Sequence, residues 1–322
     1  MKIICKRLPY IALMVTCSIY GLSFMFIKQG VGIVEPTQLL SARFIVGLII
    51  MSILSMLGLI KLDITKKKLK MFLPVALIQP AIYFICEANG INFTSSCMAG
   101  IIFSLTPIFV TLLAVIFLNE SRTWFQWICV LTSVIGVIMI VLSNSGGNSE
   151  SHIFGVMLLL LAVVADGFYI IFAKKVTKEM TPLEICYMMQ IGGAVSFNIL
   201  GISKALIEGK SIFEFYLQSL NKTVLLDILY LVVLSSLVAS SLFTYALSKI
   251  DASRAVVFMN LIPIVSIVAG VFILDEKFTF LQFIGSVLIL ISIMVMNYSK
   301  AEIQKDIIEE SCFTKVNEPI EN

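Results

Sequence analysis

Three ionisable residues lie inside long apolar runs of this sequence: Arg43, Glu87 and Asp166. In a run that crosses a membrane, each isolated charge costs about 2.5–3.5 kcal/mol on insertion scales, so these charges need a reason to be there. A guanidinium can bind a carboxylate, and a carboxylate can bind an amine or carry a proton. The residue types therefore predict recognition of a small charged solute. Two structural alternatives stay open: an ion pair between Arg43 and Glu87, or an Arg43 side chain that extends outward to the membrane surface.

Other polar residues recur at helical spacing beside these charges. Gln79 and Tyr83 precede Glu87 by eight and four residues, and Tyr169 follows Asp166 by three, so each group shares one helix face. Small and polar stripes of this kind also suit tight helix packing, which is the structural alternative. The candidate set for substrate binding or translocation is Arg43, Gln79, Tyr83, Glu87, Ser104, Asp166, Tyr169 and Asn260.

Composition indicates which elements must hold these residues. Hydrophobic residues make up 59% of the chain and charged residues only 13%, with a mean hydropathy of +1.02. A soluble domain carries roughly a quarter charged residues, so the composition predicts an all-α polytopic membrane protein. Ten apolar runs are each long enough to cross the hydrocarbon core as a helix, and the first is expected to be retained rather than cleaved. The runs lie near residues 9–28, 36–60, 71–91, 95–118, 123–143, 153–173, 182–203, 223–247, 253–274 and 278–298.

The apolar runs form an internal repeat. TPIFVTLLAVIFLNE at residues 106–120 returns as IPIVSIVAGVFILDE at residues 262–276. YGLSFMFIK at residues 20–28 returns as DGFYIIFAK at residues 166–174. The offsets are 156 and 146 residues, and the difference corresponds to extra chain around residues 204–222. Because apolar helices resemble one another by composition, the evidence for the repeat lies in the shared proline, glycine, lysine and glutamate.

The repeat predicts the domain organisation. Two five-helix units are expected at residues 1–148 and 149–298, followed by a disordered cytoplasmic tail at residues 299–322. Since five is odd, the second unit enters the membrane upside down. Two inverted five-helix repeats with a site between them near the bilayer midplane are typical of secondary transporters. The three charges break this symmetry, because their repeat-equivalent residues are Met189, Phe243 and Tyr20.

Two prolines at equivalent places are candidate hinges. Pro107 and Pro263 each leave the carbonyl four residues earlier without its helical partner, at a cost of ~3 kcal/mol in a helix interior. Ser104 and Asn260 lie beside those carbonyls. One hypothesis is a bend that lines a cavity and changes during transport, and the alternative is a static kink for packing.

Lysine and arginine predict the orientation. With a cytoplasmic N-terminus, the inner segments hold 17 of the 23 basic residues, so both termini are expected in the cytoplasm of a multi-pass plasma-membrane protein. The net charge of +3 then follows from topology and indicates no nucleic-acid partner. The seven cysteines have no CxxC spacing, and no nucleophile–base motif is visible, so no metal, no cofactor and no enzyme activity are predicted. The partners expected are a small-molecule solute and the lipid bilayer, and a homodimer is left open.

The sequence also resembles a known family. IYGLSFMFIK, EPTQLLSARF and the run GINFTSSCMAGIIFSLTPIFVTLLAVIFLNE are similar to the EamA-type carriers of the drug/metabolite transporter superfamily, and the resemblance covers about residues 9–298. It implies ten helices, a cytoplasmic N-terminus, alternating access and a small organic solute.

These observations together predict a secondary transporter, either exporter or importer. Its expected solutes are small organic metabolites such as amino acids or related compounds, moved by alternating access. Proton coupling is left open, with Asp166 as the group that would carry the proton. The alternative is a membrane sensor or scaffold that binds a solute without moving it.

Overall fold

A computed structural model of the chain describes residues 2–63, 65–110, 113, 124–142, 149–207, 209, 216, 221–250, 255, 258–292 and 294–295. The secondary structure of these residues is helical and includes no strand, which confirms the predicted all-α class. The helices are α1 Lys2–Val31, α2 Pro36–Met56, α3 Lys66–Ala76, α4 Phe84–Phe93, α5 Ser96–Phe103, α6 Trp124–Leu142, α7 Ser149–Val176, α8 Pro182–Ile207, α9 Lys222–Leu229, α10 Ser240–Lys249, α11 Leu261–Ile273 and α12 Phe280–Ser292.

Several helical stretches in the described part of the chain are suited to a membrane. Five are long and apolar enough to cross one: Leu8–Val31, Pro36–Met56, Glu150–Val176, Pro182–Ile207 and Lys222–Lys249. Shorter apolar helices lie at Ser96–Val110, Leu131–Ile140, Phe258–Ile273 and Phe280–Ser292. The chain is therefore a multi-pass membrane protein. The total of ten spans depends in part on residues outside the described ones and stays a prediction.

Two π-helical segments lie between α-helices of the chain. Leu77–Tyr83 lies between α3 and α4, and Tyr230–Ala239 lies between α9 and α10. The repeat offset of 156 residues carries the first segment onto residues 233–239 of the second. A π-helix pairs each N–H with the carbonyl five residues earlier, and such segments are frequent at functional sites. The sequence pattern did not predict them.

Two lysines of the matched motifs cap helices at equivalent places. Lys28 belongs to α1 and Lys174 to α7. Each ammonium donates hydrogen bonds of 2.6 to 3.2 Å to backbone carbonyls at a helix C-terminus, where a cation is favoured. The same offset of 156 residues relates the two sets of carbonyls, so both halves fold this contact alike. The acceptors are Ile91, Asn92 and Thr94 for Lys28, and Leu247 and Ile250 for Lys174.

The glutamate of the repeat has a capping role. Glu276 accepts hydrogen bonds from the backbone N–H groups of Ser96 at 2.8 Å and Cys97 at 3.0 Å, at the start of α5. A carboxylate at a helix N-terminus satisfies N–H groups that have no partner within the helix. The counterpart Glu120 and the predicted tail at residues 299–322 lie outside the described residues.

Each proline of the repeat follows a break in its helix. α5 ends at Phe103, and Pro107 comes just after the turn that follows it. A short 3-10 turn at Phe258–Asn260 precedes α11, in which Pro263 is the third residue. Both prolines are buried. The missing backbone N–H of each proline explains why the helix breaks about one turn before it.

The two halves cross closely where α2 packs against α8. A Cβ added at Gly47 would lie 2.5 Å from Oε1 of Gln190, and one added at Gly193 would lie 2.3 Å from Cδ1 of Phe44. The offset of 146 residues relates Gly47 to Gly193 and Phe44 to Gln190. Each half therefore contributes the same positions to this crossing, and glycine allows the two helices to approach.

Candidate solute-binding site

A cavity lies among the helices of both halves. Nineteen residues from both halves line it. Its wall is rich in aromatic rings, which suit contact with an apolar group or a cation. The aromatic lining residues are Tyr20, Phe24, Tyr83, Phe84, Phe103, Tyr169 and Phe243.

Six of the eight predicted site residues line this cavity, and two do not. Ser104 is fully buried, and its hydroxyl donates to the carbonyl of Ile101 at 2.5 Å. Asn260 lies at the start of α11, outside the lining. The six that the fold brings together are Arg43, Gln79, Tyr83, Glu87, Asp166 and Tyr169.

The hinge candidates border the cavity indirectly. Pro107 and Pro263 are not lining residues, but Phe103 and Met259, each four positions earlier, are. The carbonyls of these two residues are the ones that a proline leaves without a helical partner. A change of bend at either break would therefore move the cavity wall, and the hinge role of the prolines stays a prediction.

Most residues that line the cavity are related in pairs by the internal repeat. Sixteen of its nineteen lining residues form eight pairs that are related by the offsets of 146 or 156 residues. The counterparts of all three charged residues are among them, so each charge faces the same space as the residue that replaces it in the other half. The cavity therefore lies where the two halves meet. The pairs are Tyr20 and Asp166, Ser23 and Tyr169, Arg43 and Met189, Gln79 and Ser235, Phe84 and Ser240, Glu87 and Phe243, Phe103 and Met259, and Thr106 and Ile262.

Arg43 projects from α2 and is only 3% exposed. Its Nε donates to the hydroxyl of Ser236 at 2.9 Å, and its Nη2 donates to the hydroxyl of Ser235 at 3.2 Å. The guanidinium carbon lies 4.7 Å from the centre of the Phe84 ring. Its Nη1 is buried and has no hydrogen-bond partner. One nitrogen of a fixed cation is thus left for a ligand.

Glu87 in α4 is 4% exposed and is held by a neighbour on its own helical stretch. The hydroxyl of Tyr83, in the first π segment, donates to Oε1 of Glu87 at 2.8 Å. The other carboxylate oxygen, Oε2, is buried without a partner, and so is Oε1 of Gln79. A buried acceptor that lacks a donor costs about 1–3 kcal/mol, and more when it is charged. This part of the site is suited to a ligand that donates hydrogen bonds.

The structure contains neither an ion pair between Arg43 and Glu87 nor an Arg43 side chain that extends outward. None of the ion pairs among the described residues joins these two side chains, which instead bond to serine and tyrosine hydroxyls. Arg43 does not extend to the membrane surface either, since its side chain is buried within the bundle.

Asp166 lies on α7 and is 7% exposed. Its Oδ2 is 3.5 Å from the hydroxyl of Thr106, which donates to it. Its repeat counterpart Tyr20 shares a hydrogen bond of 3.1 Å with the hydroxyl of Ser240. The hydroxyl of Tyr169 donates to Sδ of Met189 at 3.4 Å. The cavity therefore holds two carboxyl groups and one guanidinium.

The predicted site residues leave out side chains that hold the site together, among them Thr106 and Ser235. Thr106, the partner of Asp166, begins a mainly apolar motif and gave no signal. Ser235 is the repeat counterpart of Gln79, so applying the offset to every candidate would have found it. No group of three or more His, Cys, Asp or Glu side chains suited to a metal ion occurs in the described part of the chain.

Both halves of the chain match a known protein family. Residues 7–142 and 153–298 each match the model of the EamA-like transporter family. The chain belongs to this family. The predicted resemblance is thereby confirmed.

Several relatives of this EamA-like chain carry transporter names. "Uncharacterized transporter YcxC" of Bacillus subtilis (strain 168) is 33% identical over 89% of this chain and 92% of its own length. "Probable amino-acid metabolite efflux pump" of Escherichia coli (strain K12) is 22% identical over 86% of this chain and 90% of its own. A solved structure described only as "Crystal structure of protein" matches with a TM-score of 0.59 and 13% identity, covering 90% of this chain and 97% of that one. At that identity the solved structure shows a shared fold and nothing further.

Proposed function

We propose that this EamA-like chain is a secondary transporter of small zwitterionic solutes, such as amino acids or related compounds. The observation that carries the proposal is the pair of unsatisfied charged groups, Nη1 of Arg43 and Oε2 of Glu87. Both are buried residues of the cavity wall, and they are not paired with each other. A solute with a carboxylate and an ammonium group would satisfy both, which neither water nor an apolar solute does as well.

The rest of the cavity supports an amphipathic solute. Its aromatic wall would contact the apolar part of an amino acid, while the carbonyl oxygen of Gln79 offers a further acceptor to the ammonium group. The printed name of the Escherichia coli relative, an amino-acid metabolite efflux pump, points to the same class of solute.

Alternating access is the mechanism we propose, with ten spans arranged as two inverted repeats, residues 1–148 and 149–298. The paired lining residues, the equivalent π segments and the separate family matches in each half support this arrangement. A cavity at a pseudo-two-fold axis can open to either side by equivalent movements of the two halves. Bends at Pro107 and Pro263 would contribute to those movements. The excess of basic residues in the inner segments supports a plasma-membrane protein with both termini cytoplasmic.

The first experiment measures counterflow in proteoliposomes with radiolabelled L-phenylalanine, L-leucine, L-threonine and L-lysine. We compare the wild type with Arg43→Gln, Glu87→Gln and the double variant. If the two residues bind the solute, the double variant folds but loses transport. If they are a structural unit only, the double variant recovers both stability and transport, because neither residue then leaves the other as a lone buried charge.

A matched control removes an ion pair outside the cavity. Lys204 and Glu35 form one at 2.7 Å, and their side chains are 46% and 39% exposed. Glu35→Gln with Lys204→Gln should therefore keep wild-type counterflow, since exposed pairs contribute about 0–1 kcal/mol. Wild-type flux in the Arg43 and Glu87 double variant would contradict the proposed binding site.

Proton coupling is tested at Asp166, which shares the cavity with Glu87, Arg43 and the hydroxyl groups of Tyr20 and Tyr169. If Asp166 carries the coupling proton, Asp166→Asn abolishes uptake driven by a pH gradient and leaves solute-for-solute counterflow largely intact. Equal loss of both fluxes would argue against a proton role and for direct solute contact.

A further inference from the structure

We propose that Ser235 and Ser236 are positioning residues that fix which edge of the Arg43 guanidinium the solute meets. The inference rests on the proposed function, because it concerns how the same cavity recognises an anionic group. It adds a specificity role for two serines that lie in the second π segment, on the opposite half of the chain from the arginine.

Two adjacent serines of the second π segment reach one guanidinium. Ser236 accepts from Nε of Arg43 at 2.9 Å and Ser235 accepts from Nη2 at 3.2 Å, and all three side chains are buried. The wider turn of Tyr230–Ala239 accompanies this double contact.

Side chains from three elements hold the π segment in this form. Each of these side chains donates a hydrogen bond to a carbonyl of the segment. Thr16 of α1 donates its hydroxyl to the carbonyl of Ala239 at 3.3 Å. Cys186 of α8 donates its thiol to the carbonyl of Ser236 at 3.0 Å, and Ser240 of α10 donates to the carbonyl of Ser235 at 3.2 Å. The serine pair is thus fixed from several sides.

The serines occupy a defined edge of the guanidinium. Nε–H and the adjacent N–H of Nη2 form one of the two forks with which arginine binds a carboxylate through parallel hydrogen bonds. Both donors of that fork are already engaged. The remaining donors are the two N–H groups of Nη1, which is buried without a partner, and the second N–H of Nη2, so the solute meets Arg43 at its far end. Phe84, 4.7 Å from the guanidinium carbon, restrains its plane from one face.

The pair of serines that binds Arg43 occurs in only one half of the repeat. The counterpart of Ser235 is Gln79, and the counterpart of Ser236 is Pro80, which has no hydroxyl and lies inside the first π segment. The counterpart of Arg43 is Met189. At these two equivalent positions, serines therefore occur only in the π segment that faces a guanidinium, which a purely structural serine pair would not require.

The test uses the full chain in liposomes with Ser235→Ala, Ser236→Ala and Ser236→Thr. The probes are the panel amino acid with the highest wild-type flux and its carboxamide, which keeps the amine but lacks the carboxylate. Each alanine variant should raise the KM of the amino acid about tenfold, equivalent to ~1.4 kcal/mol, with a smaller effect on maximal flux. The KM of the carboxamide should not change, and Ser236→Thr, which keeps the hydroxyl, should retain the wild-type KM.

Ser248→Ala is the matched control, because this serine lies on α10, outside the lining, and donates only to the carbonyl of Tyr245 at 2.7 Å. An unchanged KM in both alanine variants, or an equal rise for the amino acid and its carboxamide, overturns the positioning role. Absence of wild-type flux for the whole panel instead contradicts the proposed function. If the alanine variants fail to fold, Ser236→Cys replaces them, and a wild-type preference for the amino acid over its carboxamide in that variant overturns the inference.

Discussion

The crossing of α2 and α8 offers a prediction in which each half of the chain is the control for the other. Gly47 and Gly193 are repeat-equivalent, and alanine at either would place a Cβ within 2.5 Å of an atom of the opposite helix. The neighbours differ, however. At Gly47 the neighbour is the end of the Gln190 side chain, and at Gly193 it is the ring of Phe44.

The two neighbours differ in their freedom to move. Gln190 is as buried as Phe44, but its amide is the far end of a flexible side chain and its Oε1 has no hydrogen-bond partner, so the amide can turn away at lower cost than a ring. The Phe44 ring is 1% exposed and packs against the rings of Phe84 at 5.0 Å and Phe197 at 5.4 Å, so it cannot. Ordinary carbon contacts are ~3.5–4.0 Å, and the added Cβ at residue 193 would lie 2.3 Å from Cδ1. The helices must therefore separate by an appreciable part of that difference.

Overpacking of this kind costs about 1–3 kcal/mol, and we expect Gly193→Ala to fall at the upper end. Replacing glycine by alanine within a helix returns about 1 kcal/mol. The net loss in the free energy of unfolding is then about 2 kcal/mol for Gly193→Ala and close to zero for Gly47→Ala. The measurement is unfolding by SDS in mixed micelles, followed by the loss of helical circular dichroism.

A second substitution keeps this test independent of folding yield. Gly193→Ala combined with Phe44→Leu removes the ring that the new methyl group meets, so it should recover part of the loss. Equal destabilisation by the two alanine variants would refute the reasoning, because the difference between a rigid ring and a rotatable amide would then not decide the outcome. So would a Gly193→Ala variant that is more stable than the wild type.

Two further predictions concern topology and the hinges. Single cysteines at residues 149 and 299, as Ser149→Cys and Ser299→Cys in a cysteine-free background, should label from outside and inside respectively with an impermeant thiol reagent; labelling of both from one side would contradict the inverted repeat. Pro107→Ala or Pro263→Ala should leave the protein folded but slow counterflow, because the restored backbone hydrogen bond favours one conformation over the other. Unchanged flux with raised stability would assign the prolines to packing alone.

Several features of the site could be read from single segments of the chain. Arg43, Glu87 and Asp166 were identifiable because a charge in an apolar run is costly wherever it lies, and all three line the cavity. Gln79, Tyr83 and Tyr169 followed from helical spacing. Ser104 and Asn260 were selected by their place beside the carbonyl that each proline leaves without a helical partner. They lie outside the lining because that choice used local position and not the direction in which the side chain faces.

The hydrogen-bond partners of the charged residues could not be predicted from single segments of the chain. The hydroxyl that holds Nε of Arg43 belongs to a residue 193 positions later in the chain. This residue lies in a π segment, which the sequence pattern did not predict. Side chains of Thr16 and Cys186, on other helices, donate hydrogen bonds to that segment. Sequence spacing predicted an ion pair between Arg43 and Glu87 as readily as a pair of free charges, and only the facing helices distinguish these.

The sequence by itself determined the membrane environment, the two-fold repeat, the family and the identity of the charges. Those properties depend on composition, local periodicity and comparison of one segment with another, all of which are present in the linear chain. The tertiary structure alone decided that the repeat-equivalent residues line one cavity, that two serines hold the arginine, and that Nη1 of Arg43 and Oε2 of Glu87 are left without partners. The physical reason is that hydrogen-bond satisfaction is a property of groups brought together by packing across distant helices, and no local pattern encodes which groups will meet.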